Sequence, residues 1–211
     1  MKKINRILYF TLLFVLLLGF GSCSSDDKIT EEPPAVSLTE KAQGFLNGEF
    51  AMRAHATMSG VSKTLLPEGC PAIFEFEWKS DNVLNVTISE FTVGNMPLVI
   101  TYTCNTDIMQ LNSWEKDEYP GNGWIKFKGT DGYTVMDNGG EVQEDPIRGS
   151  FLQGYYNVDT HQITFIIDYN AMNVRSEVYL QIADKSKMDT YEEDFAQYEK
   201  DLAAYKKEHG L

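Results

Sequence analysis

Alternation of apolar and polar positions dominates the chain beyond residue 45. Phe74, Phe76 and Trp78 fall on one side while Glu75, Glu77 and Lys79 fall on the other, the period of two that marks a half-buried strand. Ser80-Asp81-Asn82 then turns the chain into Leu84, Val86 and Ile88, with Asn85, Thr87 and Ser89 opposite. The apolar parity flips at Phe91 and Val93, which predicts a bulge near Ser89-Glu90 that re-aims the strand. Further alternating runs cover Leu98 to Cys104, Trp124 to Lys128, Tyr133 to Met136, Gly149 to Asn157, Gln162 to Tyr169 and Val174 to Ala183. Ahead of them, Thr39 to Gly44 reads as one capped helical turn with Thr39 as its cap, and Phe45 to Met58 as a first strand. The connections Val158-Asp159-Thr160 and Asn170-Ala171-Met172 are too short for parallel crossovers, so the strands form an antiparallel meander. Eight or nine such strands suit an up-and-down β-barrel, which leaves no exposed edge.

Two segments break this pattern. From Met188 to His209, Tyr191, Phe195, Tyr198, Leu202 and Tyr205 recur at intervals of four, three, four and three. That spacing predicts an amphipathic helix whose aromatic stripe packs on the outside of the barrel, a partner-binding stripe being the alternative. Its acids lie at the start and Lys206-Lys207 at the end, as the helix dipole favours. At the other terminus, Lys2, Lys3 and Arg6 precede an apolar run from Ile7 to Phe20. Those 14 residues are too few to span a bilayer, for which a helix needs about 20.

Gly21-Ser22-Cys23 places small residues directly before a cysteine, and polar Ser24-Ser25-Asp26-Asp27 follows it. This resembles a bacterial lipobox, in which cleavage before Cys23 exposes a thiol for acylation. Stable anchoring takes more than one acyl chain, which the multiply acylated cysteine of such lipoproteins supplies. The Ser, Asp, Glu and Pro-rich stretch to Ser37 reads as a tether. An acidic stretch after the lipidated cysteine resembles the surface-export signal of Bacteroidetes-type lipoproteins. The expected location is therefore the outer membrane, lipid-anchored, facing either the cell surface or, if the acidic stretch is only a solvated spacer, the periplasm.

Composition narrows the chemistry. The 211 residues carry 31 acidic and 18 basic side chains, a net charge of −13, and three of the basic ones belong to the leader. So acidic a surface repels phosphate, which argues against nucleic-acid partners. His55, His161 and His209 are the only histidines and are scattered, and there is no Cys-x-x-Cys or Gly-rich phosphate loop, so the expectation is no enzyme, no metal and no cofactor. Besides Cys23 the chain has Cys70 and Cys104, either bridged or buried as free thiols. Trp78, Trp124, Tyr155, Phe76 and Tyr102 are candidate lining of a ligand cavity, because aromatic faces stack on sugars and apolar molecules alike. A lumen filled by side chains is the competing arrangement.

A helical turn, a first strand carrying Gly48-Glu49-Phe50 where a Gly-x-Trp signature would stand, a meander and a C-terminal helix together resemble the lipocalin or calycin architecture. The likeness is strongest to lipocalin-like lipoprotein domains of Bacteroidetes, over about residues 38 to 205. It implies a barrel with an open mouth able to hold a small apolar or amphipathic ligand. The chain then divides into a signal segment 1–22, the lipidated Cys23 with its tether 23–37, and one lipocalin-like barrel domain 38–211. Two roles follow: a surface protein binding a small hydrophobic molecule or glycan in its barrel, or an accessory lipoprotein docking on an envelope partner with no cavity.

Overall fold

The computed structural model describes residues 37–94, 96–143 and 145–211. The leader, Cys23 and the tether up to residue 36 lie outside these described residues. Helix α1 (Leu38–Phe45) begins at a capping box. The Ser37 hydroxyl accepts from the Glu40 amide, and the Glu40 carboxylate accepts from the Ser37 amide. The cap is thus Ser37 rather than Thr39, and the helix includes Phe45, which the sequence pattern assigned to the first strand.

Eight strands follow, each antiparallel to the next: β1 (Gly48–Met58), β3 (Cys70–Ser80), β4 (Val83–Phe91), β5 (Val99–Met109), β6 (Trp124–Asn138), β8 (Ile147–Asn157), β9 (Gln162–Asp168) and β10 (Val174–Ile182). The last returns to pair with the first, from Ala54 opposite Val178 to Met58 opposite Val174, and closes the barrel. Two-residue strands β2 (Val61–Ser62) and β7 (Glu141–Val142) extend the ends of β1 and β6. The bulge expected near Ser89-Glu90 is present: Glu90 has φ 51°, and the register against β5 slips between Ile88 and Phe91. The two runs from Trp124 to Met136 are one strand, bent where Gly129 and Gly132 break the ladder.

The closing seam is completed by a side chain. Beyond Val178 strand β10 bulges, Leu180 takes φ 33°, and the backbone ladder to β1 stops. There the Gln181 amide continues the pairing, its Oε1 accepting from the Arg53 amide at 3.0 Å and its Nε2 donating to the Arg53 carbonyl at 3.3 Å.

Inward positions fill the lumen with rings. Phe165 of β9 meets Phe74 edge-on at 4.9 Å and lies 6.2 and 6.3 Å from Phe76 and Phe127, which reach it from other strands. Phe50, in the Gly-x-Phe position, continues this cluster to Phe76 and to Phe45 of α1. Further along, Tyr169 packs between Phe91 and Tyr102. Room for these rings comes from Gly154, where an added Cβ would lie 2.2 Å from Phe127 and 2.6 Å from Phe165. Large rings beside glycine are how a small barrel fills its interior.

Both ends are covered as well. At one, α1 buries Ala42 and the residue capping its C-terminus, Leu46, is buried too; Phe45 stacks on His161 at 3.6 Å, and the Trp78 indole donates to the Leu46 carbonyl at 2.7 Å. At the other, the β4–β5 connection buries Val93, Met96 and Leu98, and Ala171 joins them from the β9–β10 turn. The open mouth implied by the lipocalin likeness is therefore closed.

A 3₁₀ turn (Lys185–Met188) leads into α3 (Tyr191–His209), whose C-terminus is capped by left-handed Gly210. The helix leans on the start of β3 through Tyr198, its only fully buried residue, whose hydroxyl accepts from the Gly94 amide at 2.8 Å. Its aromatic stripe is only partly covered: Tyr191, Leu202 and Tyr205 are half-buried, and Phe195 stays 38% exposed.

Two outcomes are expected. Gly154→Ala should cost about 1–3 kcal/mol in denaturant unfolding, the usual penalty for overpacking a filled core. Ending the chain at Lys187 should lower the melting temperature, with Tyr198→Phe alone costing about 0.5–1.5 kcal/mol for the lost hydrogen bond. An unchanged melting curve for the shortened chain would show that α3 adds nothing to the fold.

Candidate functional site: an aromatic rim beside the barrel

The lumen holds two of the sequence candidates, Phe76 and Tyr102, both fully buried in the packed interior. Neither lines any of the described clefts. Burial pushes the Tyr102 hydroxyl well above the usual tyrosine range, and like Ser150 Oγ it has no hydrogen-bond partner among the described residues. Trp78 sits at the α1 plug with its indole N–H already committed. Phe76, Tyr102 and Trp78 therefore serve the fold, and the expected ring-lined cavity inside the barrel is occupied by the rings themselves.

Of the two cysteine arrangements left open, the structure has the free thiols. Cys70, by the carbonyl of Thr92 and under α3, and Cys104, beside Gly129 and Gly132, are buried and unbridged. Burial pushes the Cys70 thiol up to about 12 and raises Cys104 too, so both are protonated and unreactive at neutral pH.

Trp124 and Tyr155, by contrast, come together outside the barrel. The connection between β5 and β6 contains a short helix, α2 (Ser113–Glu118), which sequence periodicity did not reveal. Its start is a second capping box: the Asn112 side chain accepts from the Glu115 amide, and the Glu115 carboxylate accepts from the Asn112 amide at 2.9 Å. Asn followed three residues later by Glu was the signal available in the sequence.

Glu115 is 1% exposed and holds α2 to the barrel wall. Besides the Asn112 amide, its carboxylate accepts from the Lys126 ammonium, itself 9% exposed, and from the Tyr155 hydroxyl at 2.8 Å. Burial alone would raise the Glu115 carboxyl, but Lys126 and the two other donors outweigh it and hold the group below its ordinary range. Burial and the adjacent Glu115 carboxylate together push Tyr155 well above the usual tyrosine range. With both carboxylate oxygens engaged, this cluster is a structural anchor and offers no free base or nucleophile.

What the anchor positions is a shelf of rings. Tyr119, at the end of α2, stacks on Tyr155 at 4.1 Å and leans on Trp124 at 5.1 Å. The Trp124 indole is tied to the Pro120 carbonyl at 3.3 Å. Tyr119 and Trp124 form one wall of a cleft of about 700 Å3 between the start of α1, the β3–β4 turn, the end of β5 and the start of β6. Leu38 and Met109 bring exposed apolar surface to it, and Asn82, Gln110 and Asn122 bring side-chain amides. The clefts along α3 and beside Tyr179 are smaller, at about 310, 340 and 240 Å3.

A family of proteins described as a domain of unknown function, DUF4903, matches residues 23–210. The chain belongs to DUF4903. No curated protein and no solved structure matches it. This DUF4903 chain folds as a closed, eight-stranded antiparallel barrel with a C-terminal helix.

The Glu115 anchor of the DUF4903 barrel gives a pH-dependent stability. Because the folded carboxyl is held below its ordinary value of 4.5, the stabilisation is complete above that pH and is lost as the pH falls through the lower folded value. Glu115→Gln should cost about 1.5–3 kcal/mol at pH 7, the usual worth of hydrogen bonds to a charged group. The difference from the unaltered protein should shrink below pH 4.5 in acid titrations of unfolding. A constant difference down to low pH would remove Glu115 as the titrating anchor.

Proposed function

We propose that this protein is a non-catalytic lipoprotein of the cell envelope, anchored through Cys23, whose solid barrel works by its outer surface. The observation that carries this reading is the filled lumen: Phe165 and its neighbouring rings occupy the interior, while α1 and the β4–β5 connection cover its ends. Of the two roles left open by the sequence, this favours the accessory protein that presents surface features to a partner over the carrier that encloses a ligand.

The lipid anchor rests on the leader and on Gly21-Ser22-Cys23. It gains support from the family match, which begins at Cys23, the first residue of the chain after the expected cleavage. A non-catalytic role is supported by the engagement of the groups that could do chemistry. His161 is stacked on Phe45 and hydrogen-bonded to Tyr156, Glu115 is fully paired, and the thiols of Cys70 and Cys104 are buried and protonated.

Metabolic labelling with a palmitate analogue tests the anchor. The native chain should incorporate label and partition with outer membranes, whereas Cys23→Ala should lose both; labelling of the variant at the native level would refute lipidation. The solid-barrel reading is tested by Phe165→Ala, which should cost about 3–5 kcal/mol, as for a ring removed from a tightly packed core. A loss well below 1 kcal/mol would mean that the lumen is not packed as described.

A further inference from the structure

The rim cleft has a composition unlike the rest of the surface. In a chain of net charge −13, no carboxylate among the described residues lines it, and Lys116 is the only charged side chain among those that do. Cationic ligands find no partner there, and a single exposed lysine is little for an anion. The rest of the lining is divided between apolar surface and neutral hydrogen-bonding groups, the amides of Asn82, Gln110 and Asn122 being the longest. Among the described residues none of these three side-chain amides has a hydrogen-bond partner. An amide presents both donor and acceptor, which is what a hydroxyl group, itself both, requires from its binding site.

The aromatic wall supplies the other half. Tyr119 and Trp124 are half-buried, with their orientations fixed by Tyr155 and Pro120, so little side-chain freedom is lost when something stacks on them. The volume of about 700 Å3 lies within the usual range of small-molecule sites, about 300–1,000 Å3. An aliphatic ligand would leave the three amides facing apolar surface, at the cost of burying unpaired polar groups.

We propose that this cleft is a binding site for a neutral saccharide, with Trp124 and Tyr119 against the C–H face of a sugar ring and Asn82, Gln110 and Asn122 bonding its hydroxyls. The inference goes beyond the envelope role proposed above and stands or falls separately from the lipid anchor, because it depends only on the folded barrel.

The test uses the full-length chain in detergent with maltohexaose, cellohexaose, xylohexaose and mannohexaose as neutral probes, a sialylated oligosaccharide as charged control and palmitate as aliphatic control. Binding is read by saturation-transfer NMR and isothermal titration. At least one neutral hexasaccharide should bind with millimolar or better affinity. Trp124→Ala should weaken it at least tenfold. Gln110→Ala, which alters an exposed amide without disturbing the fold, should weaken it severalfold at an unchanged melting temperature. Trp78→Phe, at the α1 plug, should leave binding intact. No binding of any neutral probe would overturn the proposal. So would binding indifferent to both Trp124→Ala and Gln110→Ala, or binding restricted to palmitate or the charged oligosaccharide.

Discussion

The convergence of Phe74, Phe76 and Phe127 on Phe165 is the contact on which the rest of the structure depends. A closed sheet of eight strands encloses a space just wide enough to be packed by side chains, and whether it becomes a core or a cavity depends on their size. Here the strands bring rings to the interior and give them room at Gly154. Once the axis is filled, α1 and the β4–β5 connection need only cover the ends, and each does so with a few apolar residues. The consequence for function is spatial: recognition is left to the outer wall and the rim.

The rim is built with the same economy. A six-residue helix such as α2 has almost no stability of its own. It is held by its capping box and by the Glu115 carboxylate, which joins it to Lys126 and Tyr155 on the barrel wall. That attachment sets Tyr119 against Tyr155 and Trp124, so a buried ion pair determines where an exposed aromatic surface stands. A charge buried for structural reasons thus shapes the cleft of about 700 Å3 beside the barrel.

Much of the architecture could be read from the sequence because strand alternation is a local property. The runs around Phe74 and Leu84, the parity change at Glu90 and the four-three spacing from Tyr191 to Tyr205 each lie within one element, and each corresponds to a strand, a bulge or a helix. What the rings do is not local. Whether Phe76 faces a ligand or Phe165 depends on the register of strands far apart in the chain, and the alternation of either strand alone says nothing of it. Trp124 and Tyr155 were recognisable as aromatics on strands, but Tyr119, which joins them, lies on a segment too short to show periodicity. The partial exposure of the α3 stripe was also hidden, since spacing shows which residues share a face and not how much barrel lies beneath it.

The Gln181 bridge has a further consequence, for the order in which the barrel is assembled. It joins residues 128 positions apart and extends the equally long-range β1–β10 ladder, whereas the other pairings link strands adjacent or nearly so along the chain. Such a contact carries a large loop-closure entropy, and long-range pairing is what slows the folding of β proteins. The meander from β3 to β9 can zip through hairpins, but β10 must find β1 across the whole domain. The two hydrogen bonds from one side-chain amide to Arg53 then act as a clasp fastened last, on a seam that until that moment presents two open strand edges.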